Sequence, residues 1–385
     1  MNTSLASSSH RLPSGSLAEQ FRDLLKKVGS GTHTSKALTR SEAAIATELM
    51  LTQAATPAQI GAFMIAHRIK RPTPTELAGM LDTYDALGPQ LREIDARYPV
   101  TVFCNPYDGR SRTAPITPLT ALIMAAAGAP VLLHGSGRMP TKHGLPTVEI
   151  FQGLGLNWPA LTLAHVQTVL AKTGLGFVYQ PVHFPLAESL VAYREQIGKR
   201  PTLATVEIMW SPYAGRSNVV SGYVHPPTEE RTQAAFTERG IPFFTTVKGL
   251  EGSGDLPRAR TVIIGLSQLE ASSTAPLAAH SENTYLETAH LETERLLLHP
   301  RDYGFDGPDP ETISLPDLLT DYSVAIAGQL NEISRSAIWN SGFYLWRIDR
   351  VDSLEAGFEL AQQLLAAGAV KDKLHEIKSA IDQYD

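Results

Sequence analysis

The sequence predicts an α/β protein in which a small N-terminal helical bundle precedes a larger α/β domain with a mostly parallel central sheet. Three observations carry that expectation. Residues 17–91 keep a helical apolar period punctuated by repeated helix-start signatures. From Pro99 onward, short apolar strands alternate with helical stretches, which is the spacing of parallel strands joined by crossover helices. Two strand ends, at Cys104 and at Leu133, run into loops rich in glycine, hydroxyls and cations. Ligands of open α/β sheets sit at that place, outside the carboxyl ends of strands and against helix N-termini.

The elements follow in order. Residues 1–16 are serine-rich, carry no apolar run and are expected to be disordered. In the bundle, 17–95, three capping boxes mark helix starts: Thr39 with Glu42, Thr56 with Gln59, and Thr73 with Glu76. Pro57 and Pro74 occupy the first helical positions of the last two, where the missing amide costs nothing. The larger domain, 96–385, has strand expectations at 100–104, 131–133, 176–180, 218–224, 242–247 and 261–265. Near the C-terminus, Asp352 and Glu355 form a further capping-box pattern before GFELAQQLLAAG.

Composition narrows the function classes. A chain of 385 residues that is 43% hydrophobic buries a large core, with room for two domains. A net charge of -6 argues against a surface that is basic throughout, as a general nucleic-acid or anionic-membrane binder has. The single cysteine, Cys104, reads as a small buried hydrophobe in a reducing compartment. With no signal-peptide-like start and no apolar run of membrane-spanning length, the expected location is the cytoplasm.

The chemistry concentrates in 105–144, NPYDGRSRTAPITPLTALIMAAAGAPVLLHGSGRMPTKHG. Asp108, Gly109, Arg110 and Arg112 follow the first strand, and Thr117-Pro118 opens an apolar helix. His134, Gly135, Ser136 and Arg138 follow the second strand, then Lys142, His143 and Gly144. Such a set suits an anion, a phosphate or pyrophosphate. The histidines His225, His280, His290 and His299 show no metal-ligand spacing. Arg68, Lys70 and Arg71 fit either a cleft wall or a helix C-terminus favoured by the macrodipole.

Several segments, in order along the chain, resemble the anthranilate phosphoribosyltransferase family. They are IGAFMIAHRIKRPTPTELAGM (60–80), AAAGAPVLLHG (125–135), Lys142 and Gly144 at the family's distance from a His-Gly pair, REQIGKR (194–200), HPRDYGF (299–305) and DSLEAGFELA (352–361). The resemblance implies the nucleoside phosphorylase/phosphoribosyltransferase type of fold, with the helical domain completed by about 185–203 and used to form homodimers. It implies transfer of phosphoribosyl from phosphoribosyl pyrophosphate to an aromatic or nitrogenous acceptor, by default anthranilate in tryptophan biosynthesis, with magnesium. It assigns phosphate and phosphoribosyl contacts to Asp108, Gly109, Thr117, His134, Gly135, Arg138, Lys142 and Gly144. The acceptor falls to Ser136, His183, Arg194 and Arg200, and the metal to Asp255 and Glu251.

The sequence also departs from the family pattern. The family's Gly-Thr-Gly-Gly-Asp loop is Asn105-Pro106-Tyr107-Asp108 here, with Gly109 after it. Proline removes an amide donor and tyrosine adds bulk. Ser136 replaces an asparagine on the acceptor side, Phe184 replaces a histidine, and Leu256 follows Asp255 where a second carboxylate is expected. These departures predict weak or absent anthranilate turnover. They also keep a second reading open, a divergent member that binds nucleic acid or nucleotides through Lys26, Lys27, Arg68, Lys70 and Arg71 of the helical domain.

Overall fold

The computed structural model describes residues 17–384 apart from 32, 268–292 and 313. The segment 1–16, expected to be disordered, and His280 and His290 lie outside the described residues. Four helices come first: α1 (Leu17–Gly29), α2 (Arg40–Leu51), α3 (Pro57–Lys70) and α4 (Pro74–Leu87). All three capping boxes of the bundle form as expected, each threonine hydroxyl accepting from the amide three residues on while Glu42, Gln59 or Glu76 reaches back. The apolar faces of α1–α4 meet around Phe21, Met50, Phe63, Leu77 and Leu81.

Then β1 (Val100–Cys104), α5 (Thr117–Ala126), β2 (Val131–Gly135), α6 (Thr147–Gly153), α7 (Leu163–Thr173) and β3 (Leu175–Tyr179) build one half of the sheet. Four short helices follow: α8 (Gln180–His183), α9 (Pro185–Glu188), α10 (Val191–Ile197) and α11 (Leu203–Glu207). Of these, α10 packs on α3 and α11 on α4, so this excursion returns to the bundle. The other half holds β4 (Ser217–Gly222), α12 (Pro226–Glu238), β5 (Phe244–Val247), β6 (Val262–Ser267) and β7 (Thr293–Leu298). The chain closes with α13 (Leu315–Ile326), α14 (Glu332–Arg347), α15 (Leu354–Ala366) and α16 (Ala369–Ile381).

The sheet has seven strands in the order β3-β2-β1-β4-β5-β6-β7. β1 to β5 pair in parallel, whereas β6 and β7 are antiparallel additions. β1 and β2 are buried along their whole length, as parallel strands covered on both faces must be. Cys104 is buried, as expected. The six strand expectations correspond to β1–β6, with β4 starting and ending earlier than expected and β6 running two residues further. β7 escaped the sequence reading because it opens with the polar Thr293, Glu294 and Arg295 at the sheet edge and its apolar residues are only the last three. One cap also differs: Ser353, not Asp352, caps α15, its hydroxyl accepting from the Ala356 amide. The capping oxygen sits one residue later than the Asp352–Glu355 pattern places it.

Connections leave β1 on one side of the sheet and β4 on the other. The carboxyl ends of these neighbouring strands therefore open onto a topological switch point, the usual crevice for a ligand in such sheets.

Candidate functional site

A cavity of about 440 Å³ opens at that switch point. Its floor is the loop after β1 (Pro106, Tyr107, Asp108) and the loop after β4 (Gly222, Tyr223, Val224), and α3 supplies Arg68 at its rim. Seven arginine and lysine side chains line it against three carboxylates, Asp108, Glu207 and Glu251. The whole chain is acidic, so this local excess of cations focuses a positive field in one cleft.

The loops after β1 and β2 cross backbone to backbone. Arg110 and Leu145 exchange both amide hydrogen bonds, at 3.0 and 2.7 Å, and the Gly144 amide donates to Asp108 O at 2.9 Å. At Gly109, φ is 74°, and a Cβ there would fall 2.6 Å from Gly144. A Cβ on Gly144 would lie 2.6 Å from Arg110 O. These two glycines are required by the crossing, which carries Asp108 and Lys142 to the same wall of the cleft.

Some of these charges form a connected network around Asp108 and Glu251. Arg200 grips Asp108 with two hydrogen bonds, 2.7 and 2.8 Å, and Arg194 lies 3.8 Å from the same carboxylate. Arg194 also donates to both oxygens of Glu207 at 3.1 Å. Burial pushes the Glu207 carboxyl above its ordinary pKa, against the pull of Arg194. Lys142 donates to Glu251 at 3.0 Å and to Gly109 O at 3.2 Å, and lies 4.0 Å from Asp108. Burial lowers the Lys142 ammonium, and Arg200 adds to that effect. Burial also opposes ionisation of Glu251, but the amides of Arg112 and Thr113, with Lys142, outweigh it and hold the carboxyl well below the usual range.

Beneath this layer, Arg110 donates to Asp255 and to Ser253 Oγ, both at 2.6 Å, and its Nε lies 3.5 Å from Glu251. Asp255 accepts further from the Ile116 amide at 3.1 Å and from the Thr117 hydroxyl at 2.6 Å. Thr117 is not the cap of α5; Ile116 stands at that position, and the Thr117 hydroxyl is drawn to the buried carboxylate instead.

The structure brings together Asp108, Gly109, Lys142, Gly144, Arg194, Arg200 and Glu251, with Asp255 and Thr117 behind them. Other residues singled out in the sequence point elsewhere. His134 is buried against Trp210 and shares a 2.6 Å hydrogen bond with the Tyr107 hydroxyl. Burial takes its pKa down to about 3, so the ring is neutral. Gly135 ends β2 with Phe177 over it. Ser136 donates to Glu188 at 3.2 Å. Arg138 makes a two-bond pair with Glu149, both at 2.8 Å, on an exposed face. His183 is fixed between the Tyr179 amide and Leu161 O, at 2.9 and 2.8 Å. Sequence reasoning missed Glu207, Arg231 and Tyr223 as cleft residues. Each comes from a segment without a recognisable motif, so its only signal is tertiary.

Comparison with known proteins agrees with this architecture. The pattern described as "Glycosyl transferase family, helical bundle domain" matches residues 22–88. The anthranilate phosphoribosyltransferase of Azorhizobium caulinodans is 26% identical over 370 residues, spanning 94% of this chain and 97% of that protein. That of Natronomonas pharaonis is 25% identical over 363 residues, spanning 93% and 99%. The chain is similar to anthranilate phosphoribosyltransferases over nearly its whole length, and its bundle matches the glycosyl transferase helical bundle. The solved Thermus thermophilus member superposes with a TM-score of 0.72 at 17% identity, covering 94% of this chain and 99% of that one. A Saccharomyces cerevisiae member, solved with phosphoribosyl pyrophosphate and magnesium, gives 0.75 at 11% identity, covering 95% and 98%. No helix among the described residues is long and apolar enough to cross a membrane.

The magnesium expected from the family does not fit the residues present. Asp255 has its oxygens taken by a guanidinium, an amide and a hydroxyl, and Glu251 by amides, Lys142 and the approach of Arg110. A dication needs free carboxylate oxygens, and here the Arg110 cation already lies between the two carboxylates. Among the described residues, no group of three or more histidine, cysteine, aspartate or glutamate side chains is placed to hold a metal. The polyanion patch of the second reading is likewise thinned. Lys26 pairs with Asp23, Lys27 with Glu42 and Lys70 with Glu76, leaving Arg68 and Arg71 facing the cleft.

Proposed function

We propose that this protein binds phosphoribosyl pyrophosphate in the inter-domain cleft and transfers the phosphoribosyl group to the nitrogen of an aromatic or nitrogenous acceptor, anthranilate being the family's default. The observation that carries this reading is the local excess of cations at the switch point of a family fold. In the reaction, the bond from the ribosyl carbon to the pyrophosphate oxygen breaks, a carbon–nitrogen bond forms, and the acceptor nitrogen gives up a proton. Lys142 and Arg200 exchange their present carboxylate partners for phosphate oxygens and stabilise the departing pyrophosphate. Asp108, released by that exchange, faces the cation-like ribosyl centre. Glu207, whose carboxyl is already raised by burial, takes the acceptor's proton. No step is routed through magnesium. The same reading makes the protein a cytoplasmic homodimer that associates through its helical bundle.

The test is acceptor-dependent pyrophosphate release from phosphoribosyl pyrophosphate, with anthranilate first in a panel of aromatic and nitrogenous acceptors. Anthranilate turnover is expected below about 1 per second. Calorimetric binding of phosphoribosyl pyrophosphate should be lost in Lys142→Ala while the fold is kept; unchanged affinity would remove Lys142 from the site. A second reading has its own observation. Arg68, Arg71, Arg112 and Arg231 line the cleft with no carboxylate within ion-pair distance among the described residues. Under it, the protein binds nucleic acid or nucleotides without transfer. Oligonucleotide binding that falls steeply with salt, together with no pyrophosphate release for any acceptor, selects that reading.

A further inference from the structure

Arg71 and Arg231 approach the cleft from different domains. Arg71 follows the last residue of α3, and Arg231 lies on α12, packed against α4. The two helices are held in register by ion pairs: Arg239, just past the end of α12, bonds Asp82 at 3.1 Å and pairs with Asp85, and both acids sit on α4. The Thr75 hydroxyl donates to Glu238 at 2.9 Å across the same junction. The arrangement therefore fixes two guanidiniums near one another without placing a carboxylate within ion-pair distance of either, among the described residues.

Three features make this costly unless something neutralises it. The Arg231 Nε is buried and meets no hydrogen-bond acceptor among the described residues. Its guanidinium is depressed by burial and, next, by the charge of Arg71, with Glu230 opposing more weakly. Arg71 itself has φ of 67°, a left-handed conformation that a non-glycine residue adopts only against a steric penalty. A buried donor without an acceptor and a like-charge pair each cost stability. The site is not a backbone cradle: α12 opens with Pro226 and Pro227, which have no amide hydrogens to offer. Binding there has to come from side chains, the two guanidiniums with Thr228 beside them.

We infer that Arg71 and Arg231 form a second oxyanion site, separate from Lys142 and Arg200, that holds a phosphoryl group of the acceptor. The inference rests on the phosphoribosyl-transfer reading only for the name of that ligand; the site itself stands on the two arginines. It makes the preferred acceptor a phosphorylated compound rather than bare anthranilate. One cavity joins both cation pairs.

The experiment is calorimetric titration of the full chain with inorganic phosphate, and separately with phosphoribosyl pyrophosphate, in wild type, Arg231→Gln, Arg71→Gly and Lys142→Ala. Arg71→Gly is the informative variant, because glycine accepts the positive φ without strain and the fold is preserved or strengthened. The expected result is a phosphate-binding event weakened at least tenfold in Arg71→Gly and Arg231→Gln but retained in Lys142→Ala, whose main loss is in phosphoribosyl pyrophosphate binding. Thermal unfolding with excess phosphate should shift upward in wild type and much less in Arg71→Gly. Phosphate affinity equal to wild type in a folded Arg71→Gly, or phosphate binding lost only in Lys142→Ala, overturns the site. Loss of phosphoribosyl pyrophosphate binding with retained phosphate binding in Lys142→Ala supports both assignments. Absence of phosphoribosyl pyrophosphate binding in wild type, with Arg71-dependent phosphate binding intact, removes the transfer reading and keeps the site. Binding of oligonucleotides but not of inorganic phosphate overturns it.

Discussion

Arg110 Nη1 donates to Asp255 Oδ2 across 2.6 Å, two buried side chains joined where the sequence leads one to expect a metal ligand. The same guanidinium reaches toward Glu251 at 3.5 Å, so a fixed organic cation stands between the two acids. The base of the cleft is thereby neutralised by the chain itself.

Metal affinity is the direct consequence. Titration of wild type with manganese, followed by electron paramagnetic resonance, should show no site tighter than the millimolar range typical of weak carboxylate contacts. A stoichiometric micromolar site would show that the carboxylates exchange Arg110 for a metal. Arg110→Ala leaves Asp255 buried and unpaired, and should lower unfolding free energy by roughly 3–5 kcal/mol in urea denaturation.

The crossing of the two loops predicts a different sensitivity. Gly144→Ala puts a methyl 2.6 Å from Arg110 O, against backbone that two hydrogen bonds hold in place. Loss of about 2 kcal/mol or more is expected from denaturant unfolding, together with weaker pyrophosphate binding because Asp108 and Lys142 lose their common wall. An Ala variant with native stability would mean that the crossing is more compliant than its hydrogen bonds imply.

Asp108 competes with any incoming phosphate for Arg200 and Lys142. Asp108→Asn should therefore tighten pyrophosphate binding, by about tenfold or 1.4 kcal/mol, while removing transfer activity. Calorimetry and pyrophosphate-release assays on the same preparation separate the two effects.

Glu76 predicts the acid behaviour of the bundle. Burial opposes its charge, but His67, the Leu38 amide and Lys70 outweigh it and bring its pKa down from 4.5 to about 2. A carboxyl depressed in the folded state stabilises above its unfolded pKa and loses that contribution as pH falls through the folded one. Stability should thus drop between pH 4.5 and about 2. Glu76→Gln should flatten that drop and cost on the order of 3 kcal/mol at neutral pH. Circular dichroism melts across this range test both.

The sequence by itself determined the parts of the protein whose causes are local. Thr39, Thr56 and Thr73 start their helices because each capping partner is three residues away, and the buried strands β1 and β2 announce themselves as apolar runs. The order of motifs along the chain also carried the resemblance to the family. Local pattern could not decide which oxygen caps α15, or find β7, whose first half is polar at the sheet edge. Which charges pair in the cleft was decided by tertiary structure alone. Arg110 and Asp255 are 145 residues apart, and Asp108 and Arg200 are 92 apart. Whether a carboxylate is free for a metal or spent on an arginine depends on which side chain the fold delivers within about 3 Å of it. Arg68, Arg71, Lys70 and Lys142 are alike as sequence letters. Folding gives Lys70 to Glu76 and Lys142 to Glu251 and leaves the two arginines on the cleft without a carboxylate, because ion pairing is a matter of distance in space and the sequence records only distance along the chain.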